Sequence, residues 1–276
     1  MQITKHGYME IIFTLLGRRD LFWQFLSRNL KTRHRGSWLG SFWLLANPLL
    51  MLSLYVFAFG IVFGGRFTDS PDESTLDYAL GVFIGLNVLG LVSGVIGTSP
   101  GIIISHPNFV RKVVFPLEIL PAALTGALAY DLLIGFGLSL LGIAIWGPGL
   151  GISCLFAPIL IAPVLIIGFG LSLIFSALGV FIRDLGMLGS FFGLSLLYAS
   201  GVFYSAEKAK EMAPQIWTFL QWNPLLQIID GLRQIVLWGG QPDWWTVGYA
   251  WLFAIGILLV GCYSFQRLRP AFGDVI

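Results

Sequence analysis

SHPNFVRKVVFPLE, Ser105 to Glu118, is a short polar interruption between two long apolar runs. Runs of about 20 apolar residues are long enough to cross a bilayer core of roughly 30 Å. A charged break between two of them therefore reads as a connection at one membrane face. Pro107 and Pro116 bracket the segment and limit any helix inside it to about two turns, with Asn108 as a candidate N-cap. Phe109, Val110, Val113 and Val114 sit at i, i+1, i+4 and i+5, which gives such a helix one apolar face. It is too short to be stable alone in water, so it is either held by its neighbours or docked on a partner. The plainer alternative is an ordinary loop that happens to carry Arg111 and Lys112.

Outward from this break, apolar runs repeat along the chain. Of its residues 57% are hydrophobic and 11% charged, with mean hydropathy +0.84. Soluble proteins carry roughly 25% charged residues, so the expected class is an all-α polytopic membrane protein. Six spans are predicted: Trp38 to Phe63, Tyr78 to Thr98, Ile119 to Ile145, Ile152 to Phe181, Leu185 to Tyr204 and Trp244 to Phe265. Asn47-Pro48 should kink the first. Residues 37–266 form the transmembrane domain, between an N-terminal segment, 1–36, and a tail, 267–276.

In the N-terminal segment, Leu21, Phe22, Phe25, Leu26 and Leu30 recur at helical spacing after Asp20, while Gln24, Arg28 and Lys31 fall elsewhere. That pattern predicts an amphipathic helix in the membrane surface, compatible with bracing a partner as well. The charged, mixed opening predicts no cleaved leader. Residues 205–243 hold two apolar pieces, Pro214 to Trp222 and Leu225 to Trp238, separated by Asn223-Pro224. Each is too short to cross. They read as half-helices that dip into the membrane and return, with flat surface helices as the alternative.

Charge sets the orientation. The basic residues of 1–36 together with Arg111, Lys112, Arg183, Arg267 and Arg269 make twelve of the sixteen Lys and Arg; Arg66, Lys208, Lys210 and Arg233 fall on the other side. The positive-inside rule then puts both termini and Ser105–Glu118 in the cytoplasm and 205–243 outside. The formal net charge of +2 decides little beside that asymmetry.

Little in the chain suggests chemistry of its own. It has no GxxxxGK[ST] loop to cradle nucleotide phosphates, and no catalytic or metal constellation is expected. Cys154 and Cys262 fall near opposite membrane faces, too far apart for a disulfide. His6, His34 and His106 are scattered and read as solvated or interfacial. Asp131 is the one acid deep in an apolar span, a functional candidate by default, but it lacks the companions of a proton or sodium relay and reads as a hydrogen-bonded structural acid. Asp230 and Arg233, at i, i+3, are expected to neutralise each other. Aromatic residues are in excess, with 23 Phe, 10 Trp and 8 Tyr. Tyr55, Phe59 and Phe63 form an i, i+4, i+8 stripe, and Tyr198 sits at comparable depth. Such faces can stack on the C–H faces of sugars without fixing one orientation, although plain packing accounts for most membrane aromatics.

Four stretches are familiar together. Arg28 to Gly40 (RNLKTRHRGSWLG), Val110 to Pro121 (VRKVVFPLEILP), Phe181 to Leu185 (FIRDL) and Phe265 to Phe272 (FQRLRPAF) resemble, in this order, the membrane subunit of type-2 ABC exporters, most closely the O-antigen and teichoic-acid polysaccharide exporters. The resemblance implies that Asp20 to Arg35 is an interface helix and that the dipping pieces are periplasmic re-entrant helices. It also implies that Asn108, Phe109, Val110, Arg111, Lys112 and Val113 lie in the helix coupling the chain to an ATPase. Two copies of this chain would work with two ABC ATPase subunits in the bacterial inner membrane. The substrate would be a polysaccharide on an undecaprenyl diphosphate lipid. This chain would bind no cofactor, ATP and Mg belonging to the partner, and no nucleic acid is implied. Arg28, Lys31, Arg33 and Arg35 are candidate headgroup or lipid-anchoring residues. Three rival readings remain: a type-2 exporter of a drug, lipid or small glycolipid; a gradient-driven transporter built on Asp131; and a membrane-embedded transferase, opposed by the lack of any cytoplasmic acid or histidine cluster.

Overall fold

Residues 9–33, 42–62, 64–67, 73–111, 115–147 and 149–276 are described by a computed structural model, and among them every regular element is helical. In chain order these are α1 (Met9–Gly17), α2 (Arg19–Arg33), α3 (Trp43–Tyr55), α4 (Thr75–Ile102), α5 (Pro107–Arg111), α6 (Ile119–Trp146), α7 (Ala157–Gly179), α8 (Leu185–Ala199), α9 (Ala206–Met212), α10 (Pro214–Leu220), α11 (Pro224–Val236), α12 (Trp244–Leu268) and α13 (Phe272–Val275). A π-helical stretch, Val56–Val62, continues α3, and a 3₁₀ turn, Ile152–Phe156, leads into α7.

Local chemistry sets several of the starts. Ser74 and Asp77 form a capping box at the head of α4, each side chain accepting from the other's backbone N–H at 3.1 Å. Asn223 caps α11 with Pro224 in its first turn, a position where the missing proline N–H costs nothing. Asp243 caps α12 through the N–H groups of Trp245 and Thr246.

Four helices among the described residues are long and apolar enough to cross a membrane: Thr75–Ile102, Ile119–Trp146, Ile152–Gly179 and Trp244–Val275. Two apolar helices are shorter, Ala46–Ala58 and Leu185–Ala199. At 1.5 Å per residue the second is about 22 Å long, less than the roughly 30 Å of a bilayer core. It stops before the predicted Tyr204 because Gly201 turns the chain through the left-handed region, with φ +65°.

α4 is the central helix. It buries 72% of its apolar stretch within the chain, against 39% or less for the other three long helices. It packs on α3, α6, α7, α8 and α11. The most intimate pair is α7 with α12, and glycine explains why. A Cβ on Gly261 would stand 2.4 Å from the Gly170 carbonyl oxygen, and one on Gly170 would stand 2.8 Å from the Ile257 backbone. Only glycine lets the two backbones come that close.

The buried residues form two clusters. The larger holds most of α4 with α7, α11 and the first half of α12, and Cys154 packs against it. The second gathers Ile11 of α1, Ile103, Leu117, Leu120, Val180, Cys262, Phe265 and Phe272. Both cysteines are free thiols, one in each region, as their predicted separation requires. The bundle thus has a basic end, where α1, α2, α5 and the tail meet, and an opposite end built from α9, α10, α11 and the segment before α4.

Candidate functional site

The break between α4 and α6 makes one turn of helix. Pro107, rather than Asn108, opens it, its ring pre-set for a first helical position. Asn108 and Arg111 are exposed, while Phe109 and Val110 are half-buried. Lys112 and Val113 lie outside the described residues. Phe109 stacks on Phe115 at 4.5 Å and on His106 at 5.8 Å, and Phe25 of α2 meets it edge-on at 5.6 Å. The apolar face is therefore turned onto the chain itself. Of the two roles open to that face, packing on neighbours is the one seen for Phe109, while Phe109 and Val110, each half-buried, keep surface for a partner. The rings fix the turn in place, and Pro107, Asn108 and Arg111 face outward. Arg111 also donates to the Ile276 carbonyl oxygen, tying the turn to the tail.

His106 is no solvated histidine. Its Nδ1 lies 2.9 Å from the Ile102 carbonyl and its Nε2 lies 3.1 Å from Arg28 Nη2. A carbonyl only accepts and a guanidinium only donates, so in this arrangement Nδ1 donates to Ile102 and Nε2 accepts from Arg28. Arg28 also lies over the Phe25 ring, 4.4 Å from its centroid. Of the four basic headgroup candidates, Arg28 is thus engaged within the chain. Lys31 stays exposed beside it, along a groove of about 570 Å³ with Trp23. Arg33 ends α2, and its side chain and all of Arg35 lie outside the described residues. The apolar face of α2 rests on protein: a Cβ on Gly126 of α6 would stand 3.2 Å from Phe22 and 3.3 Å from Leu26.

The tail closes the same junction. Phe272 is fully buried between Phe265, at 5.7 Å, and Phe181, at 6.1 Å. Arg269 and the buried Glu118 make an ion pair at 3.2 Å that lacks hydrogen-bond alignment. Arg28, Val110, Phe115 to Pro121, Phe181 and Phe265 to Phe272, far apart in sequence, therefore meet at the basic end.

Of the four aromatic candidates, the two whose side chains are described, Tyr55 and Tyr198, line different cavities. Tyr55 is half-buried and lines a cavity of about 350 Å³ with Asn47, Pro48, Asn87 and Asp131. Tyr198 is exposed and lines a separate cavity of about 610 Å³ with Phe203, Ile216, Arg66 and Lys208. The Phe59 side chain and all of Phe63 lie outside the described residues; the Phe59 backbone belongs to the π-helical stretch. Asp131 is half-buried and not without a partner. Among the described residues no group of three or more His, Cys, Asp and Glu side chains is placed to hold a metal ion.

Arg233 is the functional-looking residue that pattern reading misses. It is 0% exposed. Its Nε donates to Gly81 O at 3.0 Å, Nη1 to Gly201 O at 2.7 Å and Tyr204 O at 3.2 Å, and Nη2 to Val202 O. Phe67 covers its face at 4.0 Å. The guanidinium gives its donors to backbone carbonyls of α4 and of the turn after α8, while the Asp230 carboxylate offsets its charge from the same helix, as the i, i+3 spacing suggested. Arg233 pins α11 to α4 and to that turn. A lone cation inside the apolar run Leu225–Trp238 was the available signal, since a buried charge must have its donors satisfied. Asp243 needs no such burial: the hydrogen bond from Thr246 holds its carboxyl below the ordinary aspartate value.

A profile of the family described as ABC-2 type transporter matches residues 20–237. The chain belongs to that family. As an ABC-2 permease with several apolar helices it is a multi-pass membrane protein. It is similar to two proteins of Klebsiella pneumoniae named "O-antigen export system permease protein RfbA", at 24% and 26% identity, each over 93% of this chain and 95% of the relative. A Myxococcus xanthus protein of the same name is 24% identical over 97% of this chain and its own whole length. The part of this ABC-2 permease matched by the family begins in α2 and runs to the end of α11, so it takes in the Arg233 clasp and the basic-end junction apart from α1 and the tail.

Proposed function

We propose that this chain is the permease subunit of an ATP-driven exporter that moves lipid-linked polysaccharide across the bacterial inner membrane. The observation that carries this reading is the basic-end junction: a one-turn helix between two long apolar helices, held by a Phe109–Phe115–Phe25 cluster and by the tail. A turn braced on several sides moves with its neighbours as one piece. Pushed from the cytoplasm by a separate ATPase holding ATP and Mg, it would pass the displacement to α4 and α6. Pro107, Asn108 and Arg111 are its docking face, with Lys112 and Val113 completing the segment.

In this reading six segments cross, α3 with its π-helical continuation and α8 being the first and fifth, and both termini are cytoplasmic. α2 is the interface helix, and α10 and α11 are the re-entrant pair. Two copies of the chain stand side by side with two ATPases, and the glycan passes between them along Tyr55, Phe59, Phe63 and Tyr198. Tyr55 and Tyr198 occupy separate cavities of one chain, so a continuous aromatic lining requires the second copy. Lys31, Arg33 and Arg35 attract the diphosphate headgroup, with Arg28 holding α2 in position. The names of the Klebsiella and Myxococcus relatives support the choice of an O-antigen-like substrate.

The test is Asn108→Trp, a bulky change on the exposed docking face that leaves the ring cluster untouched. Cells carrying it should lose surface polysaccharide while the variant still accumulates in the membrane. Normal export would remove the coupling role from this segment. A Tyr55→Ala, Phe59→Ala double variant separates glycan from smaller cargo. It should impair polymer export with the ATPase still bound, and unchanged polymer export would count against the role of these aromatics in passing the glycan.

A further inference from the structure

At the opposite end, a cavity of about 380 Å³ lies between α10, α11 and the start of α12, a size in the range of small-ligand sites. None of the roles assigned above uses it. One wall is aromatic. Trp222 and Trp245 are 62% and 76% exposed there, and Trp217 and Tyr249 complete the wall. Trp222 is fixed in place, since the Tyr249 hydroxyl donates to its carbonyl at 2.6 Å and the two rings are 6.2 Å apart.

The other wall is α11, which presents Gln227, Asp230 and Gln234 at i, i+3 and i+7, one face of a helix. Gln227 turns its Nε2 to the Gln221 carbonyl, which leaves Oε1 as a buried acceptor without a donor. Asp230 Oδ1 is in the same condition, because Arg233, the nearest cation on the helix, gives its donors to backbone carbonyls. Buried acceptors without donors are uncommon in folded proteins. Two of them, one turn apart on the wall of an aromatic cavity, describe a ligand that brings several hydroxyl donors and a flat apolar face.

We propose that this cavity binds a single pyranose ring, stacked by its C–H face on Trp222 or Trp245 and donating hydroxyls to Gln227 and Asp230. The site rests on the polysaccharide reading for the origin of its ligand, a sugar unit of the exported chain on the outer side. Its chemistry is read from the cavity alone. An amide and a carboxylate on neighbouring turns suit vicinal hydroxyls, and the ring faces tolerate more than one epimer, as a station on a moving polymer requires.

The experiment is a titration of the purified full-length chain with free glucose, galactose, mannose, rhamnose and N-acetylglucosamine, read by tryptophan fluorescence. At least one sugar should give a saturable change. Trp222→Ala and Gln227→Leu should each weaken it roughly tenfold, the loss of one good contact, with thermal stability kept in at least one of them. No saturable response to any of the sugars by stable wild-type protein overturns the site, as does a response that both variants retain. Saturation by ethanolamine or choline in place of sugars overturns it too, making the cavity an ammonium cage. Failure of this site is distinguishable from failure of the exporter reading. If Asn108→Trp blocks export while no sugar binds, this site alone falls; if cells lacking this chain keep normal surface polysaccharide, the exporter reading falls and a positive titration still stands.

Discussion

Arg233→Met should be the most damaging single change at the end of the bundle opposite the basic one. Methionine keeps most of the apolar stem but removes every donor that Arg233 gives to Gly81, Gly201, Val202 and Tyr204. Gly81 lies in α4, where its carbonyl also faces the helical ladder. The other three sit in the turn after α8, outside any helix. A buried acceptor stripped of its partner costs about 1–3 kcal/mol, so three give an upper bound of roughly 9 kcal/mol before the turn relaxes or water enters. Breaking a buried charged contact usually costs about 3–5 kcal/mol, and about 4 kcal/mol is the value to expect here. For a chain of this size that lowers Tm by about 10 °C. Cys262, 1% exposed, supplies the assay, since a thiol-reactive dye reports its release on heating in detergent. Arg233→Lys should recover part of the loss only, because a compact ammonium cannot reach carbonyls along two edges of the planar guanidinium. Gln234→Ala, on the exposed side of the same helix, should leave Tm alone. A Tm for Arg233→Met within about 2 °C of wild type would refute the clasp.

Three further outcomes are expected. Gly261→Leu should drive α12 off α7 and cost about 1–3 kcal/mol, read in the same melting assay, whereas Gly248→Ala on the same helix, with nothing within 4 Å of a new Cβ, should be neutral or stabilising. Arg28→Ala should cost about 0.5–1.5 kcal/mol by freeing α2 from His106, and should render α2 more sensitive to limited proteolysis than wild type; equal sensitivity would remove the clamp. Asp243 has a folded pKa below its unfolded value of 3.8, so the stability its carboxylate adds is present above that value and lost as pH falls through the folded one. The melting difference between wild type and Asp243→Ser should therefore shrink on going from about pH 6 to about pH 3, and a constant difference would contradict the assigned cap.

Much of the architecture was legible because membrane spans depend on composition over a long window. The runs Tyr78 to Thr98 and Ile119 to Ile145 come out inside α4 and α6 for that reason, and Asn223-Pro224 marks the head of α11 because its capping chemistry is local. What escaped is non-local. Nothing near Arg233 in sequence shows that its donors reach carbonyls of the turn after α8, 29 to 32 residues away, or of Gly81 in α4, 152 residues away. His106 looked like any boundary histidine until Arg28 was brought beside it. The apolar spacing that begins at Phe109 and Val110 points to one face, but a periodicity does not say what the face meets. Here Phe25 and Phe115 occupy it. The stripe of Tyr55 and Phe59 assumed 3.6 residues per turn, and the π-helical stretch beginning at Val56 changes that count.

The account depends on a cytoplasmic push at the turn between α4 and α6, and its most direct test is sidedness. In a chain with Cys154 and Cys262 replaced, single cysteines at Asn108 and at Gln215 of α10 are treated with a membrane-impermeant maleimide in intact spheroplasts and in inside-out vesicles. Cysteine at 108 should label only in inside-out vesicles, and cysteine at 215 only in spheroplasts. Labelling of position 108 from the outside would contradict the account, because no ATP-hydrolysing partner could then reach it.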